Sequence, residues 1–431
     1  MRPPLSALAA TFLVIASMLG SGILTTTGSI LKLVHTPGAT IAVWILAGLH
    51  AVLGAYCYGI IVRRMPVNGG EATILSRFFH PALGEVAGWT SFVVGFAASN
   101  AVSAIGFGGY LSKAIPALSP YSPAAAVGAI GLTTLLHSLT GPAGMRIQTA
   151  MAALKFLLLA GLAGYGLAHA PAVAQTAASV GSSTAPFGSV WGPAVMFAMF
   201  AYLGWSAAIY SAGETREARE TVPRAMLRGT LVVMGLYIAV NVAVLRHVPL
   251  DMLREERAVL ELLVRTLFGP GAATVFAAVV AFALLSGIGA SAFLGPRVLH
   301  TMLAWYRPGD PHAGSTSVAL WTVWLQGGLS ALMILSGTFE QILTMTGFLL
   351  GIFPILAVLG LYTRRASEEA PVPGVTRWMA IPLFMTGSGL VLTLSLLDRF
   401  RDMLLAVGVL AFLTVLRVLS NRNLPARPPV H

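Results

Sequence analysis

Residues 18–28 read Met18-Leu19-Gly20-Ser21-Gly22-Ile23-Leu24-Thr25-Thr26-Thr27-Gly28, in the middle of an apolar run over roughly 6–33. A small-residue patch in such a run can serve close helix packing. Two glycines around a serine also make a low-cost place for a helix to unwind. Unwound backbone in hydrocarbon costs several kcal/mol per unpaired group, so it persists only where it lines a cavity. The pattern predicts a break at Gly20-Ser21-Gly22 and a second half-helix starting near Ile23. Its unpaired N–H groups and positive dipole end would face an anion. The sixth apolar run reads Phe197-Ala198-Met199-Phe200-Ala201-Tyr202-Leu203-Gly204-Trp205. Gly204, mid-run, predicts a second break, whose freed carbonyls would face a cation. Donors at one break and acceptors at the other suit a zwitterion, and an α-amino acid is the commonest one.

Outward from these breaks, the chain is apolar almost throughout. Hydrophobic residues make up 56% and charged residues 10%, with a mean hydropathy of +0.82. A water-soluble protein could not hide that much apolar surface, so lipid is the expected solvent. The net charge of +11 does not indicate nucleic-acid binding, because the basic residues stand singly or in pairs between apolar runs. Cys57 is alone, which excludes a disulfide or a thiolate metal site within the sequence. The first run follows Arg2 as a signal peptide would, but it continues through Ile23 without a convincing small-residue cleavage site and reads as a membrane helix.

Twelve runs have spanning length, at roughly 6–33, 38–62, 83–112, 123–140, 147–168, 191–212, 229–247, 270–303, 317–336, 340–362, 378–396 and 402–420. With the N-terminus inside, seventeen of the 26 cations fall on the inner side, among them Arg2, Arg63, Arg64, Arg146, Arg216, Arg364, Arg365 and Arg422. Eight fall outside, including Lys32, Lys113, Arg254 and Arg257. Both termini are therefore expected in the cytoplasm. Two loops read as amphipathic helices: Asn68–His80 after the second run, and Asp251–Phe268 after the seventh, on the opposite face. The second carries Leu253, Leu260, Leu263 and Leu267 at helical spacing. That five-run offset with reversed side is the mark of an inverted repeat. The expected division is a core over 1–363, with halves at about 1–168 and 191–362, then two accessory helices and a short tail over 364–431.

Several motifs resemble one family. Gly20-Ser21-Gly22-Ile23 with Thr25-Thr26-Thr27-Gly28 resembles the first helix of the amino acid–polyamine–organocation (APC) permeases, especially their bacterial L-type-like branch. Phe200-Ala201-Tyr202-Leu203-Gly204-Trp205 resembles the sixth-helix motif, and Glu214 with Val222-Pro223-Arg224-Ala225 the turn after it. Pro66-Val67-Asn68-Gly69-Gly70 is similar to the loop after the second helix, and Gly295-Pro296-Arg297-Val298 to the eighth. The resemblance implies an all-α membrane protein of the leucine-transporter fold, with a 5+5 inverted repeat, broken helices 1 and 6, and two accessory helices. Ile60 and Ser206 depart from the family pattern, which usually has an acidic residue and often an asparagine there.

On this reading Ser21, Gly22 and Ile23 hold a carboxylate through backbone N–H groups. Phe200, Ala201 and Leu203 accept from an ammonium through backbone carbonyls. Phe200 is the gating aromatic by family position, with Tyr202 and Trp205 as further gate candidates or ordinary packing. Ser99 and Asn100 lie midway along the third run; Asn100 either faces substrate or bonds a neighbouring helix. Lys155 stands nine residues beyond Arg146, roughly 13 Å deep at ~1.5 Å per residue. A lysine there costs ~2.5–3.5 kcal/mol, so a partner or a function is expected. The family often has a lysine where sodium-coupled relatives place a sodium ion. Lys155 is either a proton-coupling group or a tether for the broken first helix.

The remaining charges read as solvated: Glu214, Glu217 and Glu220 alternate with Arg216 and Arg219, and the 254–261 cluster reads as a wet outer face. No catalytic triad, metal-ligand spacing or nucleotide motif is present in the sequence, so neither enzyme activity nor a cofactor is expected. The expected partners are an amino acid, protons and the bilayer, in a bacterial inner membrane. The favoured expectation is proton symport of small or medium neutral amino acids. The first alternative is an exchanger of the same fold, and the second a transporter-like sensor or a non-transport membrane subunit. A neutral substrate is preferred because no acidic residue adjoins Ser21 or Gly204 in sequence, and Ala290 and Ser291 offer a small-residue wall.

Overall fold

The structure is a computed structural model that describes residues 6–67, 69–140, 144–171, 188–304, 320–363 and 372–419. Arg2, Asn68, Arg364, Arg365, Arg422 and the tail from Ser420 lie outside them, as do the side chains of Arg146, Glu214, Ala290 and Arg297.

The described chain is built of helices. Eight are long and apolar enough to cross a membrane: Ala7–Thr25, Pro37–Arg64, Pro81–Ala114, Ala150–Ala168, Ala218–His247, Val259–Gly289, Phe339–Tyr362 and Thr376–Asp398. Four further apolar helices pack among them: Ser122–Thr140, Trp191–Ala201, Leu320–Ser336 and Phe400–Leu419. Large apolar side chains such as Leu157, Leu335, Trp378, Leu397 and Phe412 point outward, as an integral membrane protein requires where lipid is the solvent.

Local chemistry accounts for many helix ends. Thr36 caps the helix at Pro37–Arg64, its hydroxyl accepting from the Ala39 N–H at 3.2 Å, with proline in the first turn. Thr338 and Gln341 form a reciprocal capping box at Phe339. The predicted amphipathic segments are present as Gly70–Phe78 and as Leu250–Glu255 followed by the helix from Val259. Gly269, at φ 85° and followed by Pro270, kinks the latter helix before it becomes a span.

The first run is broken where its glycines predicted. Helix Ala7–Met18 stops, the Gly20 N–H turns back to the Met18 carbonyl at 2.7 Å, and Gly22–Thr25 begins. A second interruption at Thr26 separates Thr27–Val34. Thr25 and Thr26 bond the Ser21 and Gly22 carbonyls at 2.8 Å each, and such side-chain bonds compete with regular helix. In the sixth run Trp191–Ala201 gives way to a turn over 202–206, then to a 3₁₀ helix at Ala207–Glu214. The third span contains a π-helical stretch, Ser91–Ala98, a feature frequent at functional sites.

Candidate substrate site

The two breaks are pressed against each other. A Cβ on Gly22 would fall 2.3 Å from the Ala201 Cα, and one on Gly204 would fall 2.7 Å from the Ser17 carbonyl. Gly204 also has φ +103°, a conformation that favours glycine. Gly20 is different: a Cβ added there would meet no atom closer than 3.9 Å.

The freed carbonyls of the first break are met by side chains from distant helices. The Tyr237 hydroxyl donates to the Met18 carbonyl at 2.6 Å and lies 3.3 Å from the Ala201 carbonyl, so one phenol spans both breaks. The Lys155 Nζ donates to the Leu19 carbonyl at 2.6 Å. Tyr110 donates to the Leu24 carbonyl at 3.0 Å. One turn beyond Tyr237, Asn241 accepts from the Thr27 hydroxyl at 2.8 Å and donates to the Tyr237 carbonyl. Trp44, Tyr202 and Tyr237 form an edge-packed aromatic cluster, and Tyr202 donates to the Trp44 carbonyl. These bonds are the partners that buried backbone at a broken helix requires.

A cavity of about 640 Å³ opens beside the breaks. Its wall includes Ser21, Gly22, Phe200, Ala201, Tyr202, Leu203, Trp205 and Lys155, which brings together most of the predicted site. Ile23 and Asn100 are buried outside that wall among the described residues. Asn100 is therefore not where a substrate-facing role placed it. Ser99 and Ser103 line the cavity instead, and the Ser103 hydroxyl donates to Ser21 Oγ at 3.0 Å. The π-helical stretch just before Ser99 resets the register of this face.

Three further residues were not singled out from sequence. Tyr237 and Asn241, spaced four apart in an apolar run, carried the only local signal, since polar groups within a span usually bond another helix. Glu71 is buried, lines the cavity and directly follows Gly69-Gly70. Thus an acidic residue does reach the cavity, although none adjoins the breaks in sequence.

The cluster at 254–261 packs against other elements. Lys113 pairs with Glu256, and Arg254 donates to the His35 carbonyl at 2.9 Å. A Cβ on Gly28 would lie 2.5 Å from the Leu253 carbonyl oxygen, so the first run's second half packs directly on Leu250–Glu255. The cluster at 254–261 is thus packed and not a wholly wet face. Glu261 is fully buried and pairs with Arg265 at 2.5 Å. The charges at 220–224 do follow the solvated reading: Arg224 pairs with Glu220 at 2.8 Å, both more than half exposed.

Two broken apolar helices thus meet at one cavity among helices long enough to span a membrane. The chain belongs to the amino acid permease family, whose model matches residues 5–403. It is similar to the serine/threonine exchanger SteT of Bacillus subtilis (strain 168), 25% identical over 245 residues, covering 57% of this chain and 55% of that protein. It is also similar to the b(0,+)-type amino acid transporter 1 of Mus musculus, 26% identical over 308 residues, with coverage of 67% and 60%. The Asc-type amino acid transporter 1 of Homo sapiens is 26% identical over 252 residues, with coverage of 56% and 48%. The chain thus spans about half to three-fifths of the length of these relatives.

Proposed function

We propose that this protein moves amino acids across a bilayer by alternating access, and that it works as an exchanger. The observation that carries the reading is the contact between the two breaks at one cavity: Gly22 on Ala201, Gly204 on Ser17, and Tyr237 bonded to both. The first N–H groups of a helix have no carbonyl one turn back. Ser21 and Gly22, which line the cavity, would supply such donors to the substrate carboxylate. Phe200, Ala201 and Leu203 would offer carbonyls to its ammonium, each carbonyl oxygen having two lone pairs. Phe200, Tyr202 and Trp205 would form the gate over the bound molecule, with Trp205 braced edge-on by Tyr58 at 4.7 Å.

The eight long helices and four shorter ones fit twelve spans in two inverted halves plus two accessory helices. Both termini would face the cytoplasm of a bacterial cell. Small and medium neutral amino acids suit the apolar wall around the breaks.

Exchange is favoured over the proton symport expected from sequence for two reasons. A relative bears the name exchanger. Lys155 is also engaged by the Leu19 carbonyl, as a tether holding the first break would be. Reconstitution in liposomes tests this. Labelled serine, threonine or alanine should enter rapidly only when unlabelled amino acid is inside, and a pH gradient alone should drive little uptake. Gradient-driven accumulation without internal substrate would restore the symport reading. No movement in either mode would remove transport altogether and favour a sensor.

A further inference from the structure

The cavity holds a carboxylate that the broken helices do not use. Glu71 lies in the first turn of Gly70–Phe78, is 9% exposed and forms part of the cavity wall. Tyr58 donates to its Oε1 at 3.1 Å and Tyr210 to its Oε2 at 2.7 Å. Its partners among the described residues are these two neutral phenols, with no cation in an ion pair. An ionised carboxylate offers about four acceptor positions, so two remain. A buried carboxylate is costly to keep without a cationic partner or a task.

The backbone is shaped to present it. Gly69 and Gly70 are both left-handed, at φ +106° and +59°. A Cβ on Gly70 would lie 2.3 Å from the Tyr210 ring, so glycine is what lets that ring approach. Tyr210 belongs to Ala207–Glu214, the segment beyond the second break, and Tyr58 to the inner half of Pro37–Arg64. Glu71 is therefore set at the inner end of the cavity, beyond the second break from Ala201.

We propose that Glu71 is a second, cation-accepting subsite, which takes the ammonium of a transported amino acid between the broken helices and the inner solution. This rests on the transport reading above and deepens it. An α-ammonium satisfies the subsite, and a basic side chain supplies a second ammonium for it. Amino acids such as lysine should depend on Glu71 more than serine does.

The test uses the full chain in membrane vesicles of both orientations, with labelled serine and labelled lysine. Glu71→Gln should raise the inner-side KM about tenfold, the scale of one lost charge-assisted bond, and more for lysine than for serine. The outer-side KM should stay within about twofold, which also shows that the variant is folded and active. Glu71→Asp should recover part of the loss. Tyr210→Phe, which keeps the carboxylate but removes one of its donors, should raise the inner KM less than Glu71→Gln does. If Glu71 were only a latch, its loss would shift the population of the inward state, and the two KM values would move in opposite directions. That pattern, an unchanged inner KM in Glu71→Gln, or a Tyr210→Phe variant as impaired as Glu71→Gln would overturn the subsite while wild-type transport stands. Wild-type vesicles that move neither amino acid would overturn the transport reading and the subsite with it.

Discussion

The two broken helices solve the same backbone problem differently. In the first, the carbonyls freed at Met18 and Leu19 are capped from outside, by Tyr237 and Lys155. In the second, the chain turns on itself over 202–206. The Tyr202 N–H bonds back to Ala198 and Met199, and the Leu203 N–H to Phe200, while Gly204 absorbs the positive φ. One break is thus held by side chains from other helices, so its shape depends on how those helices pack. The other is held mainly by its own backbone.

The comparison is most open to attack at the glycines that join the breaks. Gly22→Ala places a methyl 2.3 Å from the Ala201 Cα, against backbone with no flexible side chain to yield. Exchange in liposomes should fall by more than ~100-fold, since a misplacement of about 1 Å at a positioned site already costs that much. Retention of most activity would show that the breaks need not touch.

Next in size is Lys155→Ala, which leaves the Leu19 carbonyl without its donor and removes the tether. A buried unsatisfied acceptor costs ~1–3 kcal/mol, so about 10–100-fold loss of exchange is expected. A variant that keeps exchange and loses only gradient-driven uptake would instead make Lys155 a coupling group. Tyr237→Phe keeps the ring against Trp44 and removes the hydroxyl between the breaks. It should cost about tenfold, with the loss in KM and in turnover together. An unaffected variant would show that the bridge is incidental. Gly20→Ala should be the mildest, within about twofold, because the space around Gly20 is open. A large loss there would mean that the first break needs flexibility at Gly20 as well as close packing at Gly22.

Much of the fold was legible because membrane helices announce themselves by long apolar runs. The breaks were legible because glycine in mid-run is a local conformational signal. The site was legible only in part. Asn100 drew attention as a polar residue in mid-span, but the π-helical stretch at Ser91–Ala98 turns Ser99 and Ser103 to the cavity instead. The 254–261 cluster read as solvated by its charge content, yet Glu256 and Glu261 find Lys113 and Arg265 as partners.

By itself, the sequence determined that the chain lives in lipid, where its helices run and where two of them interrupt, because apolar length and backbone freedom are properties of contiguous residues. Tertiary structure decided which donors reach the freed carbonyls and which carboxylate reaches the cavity. Tyr237 lies 219 positions from Met18, and Lys155 lies 136 from Leu19. Hydrogen bonds of that sequence separation are set by how helices pack, a relation that no local pattern encodes. Glu71 is the sharpest case: in sequence it is one charge in a loop helix, and in the folded protein it is a carboxylate in the wall of the cavity.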